Sequence, residues 1–214
     1  MFHLFQKPKA QIRQQVQIPV HIGTGLFTTF HNLSDGVEHL AISFVDPTNP
    51  RPQAEAPLVR MHSECLTGDV FWSAKCDCGD QLQEAMKLLR EQQGILLYLR
   101  QEGRGIGLYN KLYAYQLQAQ VLDTYEANQK LGFGLDLRNY QVAAEMLQAM
   151  GVGEIKLLSN NPDKRAQLES FGIKVQSSVE TGVFLKSENA RYLEAKVTRT
   201  SHRIRLQPFA SGLA

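Results

Sequence analysis

Apolar residues recur along this chain with two different periods, and the change comes near residue 80. Between residues 16 and 60 they form short runs of β type, Val16–Val20, Gly25–Phe30 and Leu40–Val45. Turn formers separate these runs: Asn32, Ser34, Asp35 and Gly36, then Asp46-Pro47-Thr48-Asn49-Pro50. Pro50, Pro52 and Pro57 mark a surface loop before an apolar run restarts at Leu58. From residue 80 the spacing turns helical, with Leu82, Ala85, Met86 and Leu89 on one face and Gly94 as the stop. Residues 94–99 read as a buried strand, 107–120 as a second helix, and 139–150 as a third with Ala143, Met146, Leu147 and Met150 on one face. Residues 154–159 are a further strand. Asn161 as cap and Pro162 in the first turn open a helix that runs to about Phe171. A strand at 173–176 follows Gly172. Strand–helix–strand units of this length are βαβ units. The expected class is α/β: a mixed sheet with flanking helices, β-rich in its N-terminal part and alternating α/β in its C-terminal part. Residues 1–15 are polar and basic and read as a flexible arm.

Composition adds bounds. The 214 residues carry 23 Lys+Arg against 21 Asp+Glu, a net charge of +2, with 43% hydrophobic and 21% charged residues. Disorder needs lower hydrophobicity or a larger net charge. A chain of this length buries enough surface to need neither disulfide nor metal merely to have a core. The small net charge gives no electrostatic footprint for nucleic acid, and no run approaches the about 18 apolar residues of a membrane helix. The N-terminal MFHLFQKPKAQIRQQ lacks the charge order and apolar length of a signal peptide. The expected setting is cytoplasmic, without membrane or nucleic-acid partner, and there cysteines serve as thiols or metal ligands rather than disulfides.

The cysteines are therefore the first chemical signal. All three fall within fourteen residues, Cys65, Cys76 and Cys78, in a C-x10-C-x-C pattern. Three reduced thiols are the plain alternative, but unrelated buried thiols scatter along a chain and these do not. Three soft ligands suit zinc, and three protein ligands leave a fourth position open for water, as in catalytic sites. His62, three residues from Cys65, offers a fourth ligand if the site is structural. Glu64, directly before Cys65, offers a carboxylate for moving a proton. The H-S-E of residues 62–64 shares H-x-E with zinc nucleobase deaminases, but their P-C-x-x-C half is missing.

Polar loops follow the strands. Arg100–Lys111, RQEGRGIGLYNK, combines Gly103, Gly105 and Gly107 with Arg100, Arg104 and Lys111 directly after a buried strand. Glycines let backbone approach a ligand and arginines hold phosphate, so this loop reads as phosphate-binding, with a tight strand-to-helix turn as the alternative. LLSNNPDK (157–164) ends a strand at a helix N-terminus bearing Lys164, where anions bind; capping by Asn161 accounts for the same residues. Asp136 and Arg138 stand two apart before a helix. Together these features indicate a zinc hydrolase acting on a nucleotide-like anion.

The same segments resemble GTP cyclohydrolase II, the family that opens riboflavin synthesis. The resemblance rests on RMHSECLTGDVFWSAKCDCGDQL (60–82), GILLYLRQEGRGIGLYNKLYAYQL (94–117), DTYEANQKLGFGLDLRNY (123–140) and LLSNNPDK (157–164), and runs from about residue 58 to 204. It implies a single catalytic domain over 16–204, a C-terminal tail at 205–214, and a homodimer. With 57 residues before the match, a fused dihydroxybutanone-phosphate synthase half is not expected. The implied reaction is zinc-dependent hydrolysis of GTP. A zinc-activated water attacks C8 of guanine, the imidazole ring opens, and formate and pyrophosphate leave. The implied product is 2,5-diamino-6-(5-phosphoribosylamino)pyrimidin-4(3H)-one, with Mg2+ accompanying the triphosphate.

Carried over position by position, the resemblance makes Cys65, Cys76 and Cys78 the zinc ligands. It lines the GTP site with Arg60, Met61, His62, Ser63, Glu64, Gln81, Glu102, Gly103, Arg104, Thr124, Ser159 and Lys164. It makes Asp136 a proton acceptor, Arg138 a nucleophile toward the α-phosphate, and Tyr115 a group needed to complete ring opening. A guanidinium holds its proton at any working pH, so a milder reading has Arg138 stabilising charge on departing pyrophosphate. Gln81 and Glu102 are candidates for reading the guanine edge. Ser159 stands where Thr is usual, Gly105 where Asn is, and Asn139-Tyr140 where Asp-Phe is; no reacting group is lost. A relative that retains the formyl group or takes another purine nucleotide, and a non-catalytic zinc nucleotide-binding protein, are the competing readings.

Overall fold

A computed structural model describes residues 9–52, 54–118, 130–134, 136–190 and 193. Seven strands form one mixed sheet in the order β1-β2-β3-β5-β4-β6-β7. They are β1 Gln11–Val20, β2 Gly23–His31, β3 Leu40–Ser43, β4 Leu58–Ser63, β5 Ile95–Leu99, β6 Glu154–Leu158 and β7 Lys174–Val179. The described helices are α1 Leu66–Asp69, α2 Cys78–Glu91, α3 Leu108–Gln118, α4 Gln141–Ala149 and α5 Pro162–Ser170. β1, β2, β3 and β5 pair antiparallel, while β5, β4, β6 and β7 pair parallel. The fold class is the expected one, with the β-rich part supplying the antiparallel half and the βαβ part the parallel half.

Alternation along the central strands sorts side chains to two cores. Val59, Met61, Ile95, Leu97, Leu99, Ile155 and Leu157 join α4 residues Val142, Ala143, Met146 and Leu147 and α5 residue Leu168 on one face. Leu58, Leu96 and Leu158 join α2 residues Ala85, Met86 and Leu89 on the other. Period-two patterning thus places helices on both faces of the parallel half. Each fully buried Leu contributes on the order of 2 kcal/mol by burial alone, so Leu89, Leu97 and Leu147, all at 0% exposure, anchor the three layers.

Two elements differ from the sequence expectation. β1 begins at Gln11, inside the stretch read as a flexible arm, and pairs with β2 from Gln11↔His31 to Val20↔Gly23. Its residues are exposed to half-buried along the whole length, so no core-facing alternation marks it. The helix α1 has only four residues, too short to show a helical period. Residues 1–8 and the tail at 205–214 lie outside the described residues.

β4, β5 and β6 are parallel, so their carboxyl ends share one edge of the sheet. The segments leaving Ser63, Leu99 and Leu158 all begin there. In open α/β sheets this edge is where ligands bind.

Candidate active site and metal centre

The cysteines meet at the carboxyl end of β4. Cys65 immediately precedes α1, Cys76 lies in the following turn, and Cys78 is the first residue of α2. Their sulfurs lie within 4.8 Å of one another, and among the described residues this is the one such group of metal-ligating side chains. Cys65 and Cys76 Sγ are 3.7 Å apart. A tetrahedral zinc with Zn–S bonds of about 2.3 Å sets its sulfurs about 3.8 Å apart, so the spacing fits that ion. A Cβ added at Gly68 would stand 2.8 Å from Cys76 Sγ and 3.1 Å from Cys65 Sγ. Only glycine leaves that cradle clear.

The thiols differ in proton affinity. Hydrogen bonds from Cys76 and Cys78, together with the Lys111 charge, hold the Cys65 thiol well below the ordinary range against the effect of burial. Its hydrogen bond to Cys65, reinforced by burial, pushes Cys76 up to about 11, and Cys78 is pushed up by its bonds to both partners and by burial. Without metal the cluster therefore shares one thiolate, and two thiols must still lose protons on metal binding.

His62 does not join the cysteines. Its Nε2 lies 3.1 Å from both carboxylate oxygens of Asp69, and its ring stacks on Tyr98 with centroids 5.6 Å apart. Tyr98 Oη donates to Asp69 Oδ2 at 2.8 Å, and so does the Cys65 backbone N–H at 3.0 Å. Asp69 thus holds His62, Tyr98 and the Cys65 backbone together. This corrects the idea of His62 as a fourth ligand. Burial lowers the His62 pKa despite Asp69, so the ring is neutral at pH 7.

Arg60, buried on the α2 face, donates through Nη1 to Leu158 O at 3.1 Å and through Nη2 to Gln81 Oε1 at 2.9 Å. Gln81 Nε2 in turn donates to Asp77 Oδ2 at 2.6 Å. Arg60 Nε is buried without a partner among the described residues. The Gln81 amide bridges β4 to the turn holding Cys76 and Cys78.

The glycine loop follows β5. Glu102, Gly103, Arg104 and Gly105 form one 3-10 turn in which Gly103 and Arg104 adopt left-handed backbone, at φ 62 and 61. The Glu102 carboxylate takes three hydrogen bonds: Oε2 accepts from Leu66 N at 2.7 Å, and Oε1 accepts from Gly103 N at 2.8 Å and Lys111 Nζ at 2.9 Å. Lys111 also reaches Cys65 Sγ at 3.0 Å. Lys111 thus faces the cysteine cluster, and Glu102 ties it to the glycine loop.

Asp136 and Arg138 lie beside this loop, where Leu137 N donates to Arg104 O at 3.1 Å. Arg138 Nη1 reaches Ser63 Oγ at 3.4 Å. Burial raises the Asp136 carboxyl, but the Arg138 hydrogen bonds and the charges of Arg138 and Arg104 outweigh it and hold it below the ordinary range. Lys164, from the first turn of α5, donates to Met61 O at 2.7 Å. Arg138 Cζ and Lys164 Nζ stand 5.7 Å and 5.4 Å from the Tyr140 ring centroid, on a tyrosine only 1% exposed. Asn161 caps α5 through Asp163 N at 2.9 Å, and Ser159 Oγ accepts from Asn161 N at 3.1 Å.

Tyr115 on α3 lies by the cluster, with Lys75 Nζ and Lys111 Nζ 5.6 Å and 5.7 Å from its ring centroid. Burial pushes its phenol up to about 12, opposed by Lys111 and a hydrogen bond with Thr67. It is a protonated donor at pH 7. Glu64 Oε2 lies 3.5 Å from Arg100 Nε. Thr124 lies outside the described residues. Sequence reasoning missed the gathering role of Asp69 and the steric role of Gly68; their place in the L-T-G-D after Cys65 was the available signal.

The sequence profile described as GTP cyclohydrolase II matches residues 11–180. This chain belongs to the GTP cyclohydrolase II family. It is 49% identical over 200 residues to the GTP cyclohydrolase-2 of Vibrio cholerae, covering 92% of this chain and all of that one. It is 46% identical over 200 residues to the GTP cyclohydrolase-2 of Vibrio parahaemolyticus, again over 92% of this chain and all of the relative. A riboflavin biosynthesis protein RibBA of Bacillus cytotoxicus matches at 46% over 193 residues, 90% of this chain and 48% of that longer protein. As a GTP cyclohydrolase II family member the chain is a hydrolase, and its family activity is GTP hydrolysis in riboflavin biosynthesis. The match begins at residue 11, far ahead of residue 58 where the quoted motifs set in, so the antiparallel strands belong to the family as well. Among the described residues no helix is long and apolar enough to cross a membrane.

Proposed function

We propose that this chain hydrolyses GTP in a zinc-dependent reaction that opens the guanine imidazole ring at C8. Formate and pyrophosphate are released and 2,5-diamino-6-(5-phosphoribosylamino)pyrimidin-4(3H)-one is formed. The observation that carries this reading is the gathering of three cysteine sulfurs within 4.8 Å at the carboxyl edge of the parallel strands. The same edge carries Ser63, which Arg138 reaches, and Lys164 donates to Met61 O near the end of β4.

Cys65, Cys76 and Cys78 would hold one zinc ion. When bound, the ion supplies a water acidic enough to attack C8 at neutral pH. Arg138, Lys164 and Arg104 supply positive charge for the triphosphate, which Mg2+ accompanies. Asp136 orients the Arg138 guanidinium and accepts a proton. Arg138 stabilises charge on the departing pyrophosphate. Tyr115 donates a proton or hydrogen bond in completing ring opening. Arg60, Met61, His62, Ser63, Glu64, Gln81, Gly103, Thr124 and Ser159 shape the nucleotide site, and Glu102 serves it by ordering the Gly103–Arg104 backbone. The working form is a cytoplasmic homodimer, which light scattering during size-exclusion chromatography tests.

The deciding experiment is mass spectrometry of products after zinc-loaded protein meets GTP and Mg2+. Formate, pyrophosphate and the diaminopyrimidine monophosphate together are expected. A formyl-retaining product reduces the reading to ring opening alone. Unchanged GTP with folded, zinc-loaded protein overturns it in favour of a nucleotide-binding protein or another purine substrate.

A further inference from the structure

Lys111 is 8% exposed and lies between the Cys65 sulfur and the Glu102 carboxylate, which belong to different segments. Its Nζ is 3.0 Å from Cys65 Sγ and 2.9 Å from Glu102 Oε1. Glu102 Oε2 accepts from the N–H of Leu66 at 2.7 Å, and Leu66 is the residue bonded to Cys65. The contacts close a ring: Cys65 sulfur, Lys111 ammonium, Glu102 carboxylate, Leu66 amide, and back along the chain to Cys65. Three segments meet in it, the end of β4, the glycine loop after β5, and α3. A buried ammonium is tolerated only when its charge and protons are matched, and here a carboxylate and a sulfur both accept from it.

We propose that Lys111 is a positioning residue that ties the glycine loop to the metal centre, fixing the Cys65 thiolate and moderating its strength as a donor. The inference rests on the zinc reading of the three cysteines. Three thiolates and one divalent ion leave a net negative charge, and Lys111 sets a positive charge against it through a specific sulfur. An N–H donated to a thiolate withdraws electron density from it, so the ion behind it stays more electrophilic. Partners of this kind orient ligands and typically account for 10–100-fold in metal affinity. Through Glu102, any displacement of the Gly103–Arg104 backbone is also felt at Cys65. A cation serving only to neutralise Glu102 would leave the sulfur's electronic state untouched, and that difference can be measured.

The test uses the full chain loaded with Co2+, whose thiolate-to-metal charge-transfer band reports sulfur donor strength, and zinc affinity by chelator competition. Wild type, Lys111→Met and Lys111→Arg are compared, with circular dichroism as the check on folding. The Met variant is expected to shift the band to longer wavelength and to bind zinc 10–100-fold more weakly, and the Arg variant to restore both most of the way. Should the Met variant fail to fold, Lys111→Gln is read instead, and because a neutral amide donates more weakly than an ammonium, a smaller shift in the same direction is expected. A band and an affinity unchanged within threefold in folded Lys111→Met, or in Lys111→Gln where that variant stands in, overturn the proposal while leaving the zinc reading intact. Absence of any thiolate charge-transfer band in wild type overturns the zinc reading itself, and this inference with it.

Discussion

Arg138 grips Asp136 through two parallel hydrogen bonds, Nε to Oδ1 at 2.9 Å and Nη2 to Oδ2 at 2.5 Å. The backbone N–H of Arg138 adds a third, to Oδ1 at 3.1 Å. Two residues apart in sequence, the pair is rigid, and the fork leaves Nη1 to reach Ser63. Bidentate pairs of this kind fix direction as well as charge.

Asp136→Asn keeps the shape but leaves one acceptor oxygen, so the guanidinium loses its aim. The expected result is a fall in kcat of about 10²-fold with KM and zinc content little changed, since misplacement of a reacting group costs rate more than binding. Steady-state kinetics with metal analysis checks it. Because Arg138 holds the Asp136 carboxyl ionised below the usual range, an acid limb of kcat due to Asp136 is expected below about pH 4. If Arg138 acts through charge alone, no covalent guanylyl adduct is trapped in wild type or in Arg138→Lys.

Zinc removal should abolish turnover while the far-ultraviolet dichroism stays near native, because the two cores on the sheet do not include the metal. Rebinding should release two protons per ion near pH 7, since burial and hydrogen bonding keep Cys76 and Cys78 protonated there. Calorimetry in buffers of different ionisation enthalpy counts them. Apparent affinity accordingly rises with pH. Release of no protons would contradict the shared-thiolate cluster.

Gly68→Ala places a methyl 2.8 Å from Cys76 Sγ and 3.1 Å from Cys78 Cβ. Zinc affinity is expected to drop by at least tenfold. Gly153→Ala, where an added Cβ meets nothing within 4 Å, serves as control and should bind normally. Equal affinities in the two variants would show that the cradle tolerates the methyl.

His62 is neutral in the folded protein because burial depresses its pKa. In the unfolded chain it takes up a proton below about pH 6.5, so the unfolded state binds more protons and stability falls as pH falls through that range. The slope from one group is at most about 1.4 kcal/mol per pH unit. Denaturant titrations from pH 7.5 to 5 should show it, and His62→Gln should flatten it. An unaltered slope in that variant would assign the effect elsewhere.

Tyr115→Phe removes a phenol that burial holds at about 12, and with it a proton donor beside the cluster. The variant is expected to accumulate a ring-opened, formyl-retaining nucleotide with zinc content unchanged. Wild-type product ratios in mass spectra would remove Tyr115 from the chemistry.

Much of the architecture was legible because it is local. The runs at Leu40–Val45 and 94–99 and the helical period from Leu82 to Leu89 give strands and a helix close to those observed. Asn161 caps α5 as its type and the following Pro162 require. β1 before Val16 was not legible, since an exposed ribbon has no core face to impose alternation. Nor was α1, whose four residues show no period.

The sequence by itself determined the element order, the clustering of three thiols in C-x10-C-x-C, and the family. Spacing and residue type along the chain suffice for each of these. Only the tertiary structure decided which charge meets which. Lys111 turns to Cys65 across 46 positions, Glu102 holds Leu66 across 36, and Lys164 reaches Met61 across 103. Seen in sequence, Lys111 is one cation of a glycine loop, and Glu102 and His62 are residues of the nucleotide site. The parallel order of β5, β4 and β6 brings their carboxyl ends to one edge, and there burial pairs Lys111 and Glu102 with partners distant in the chain.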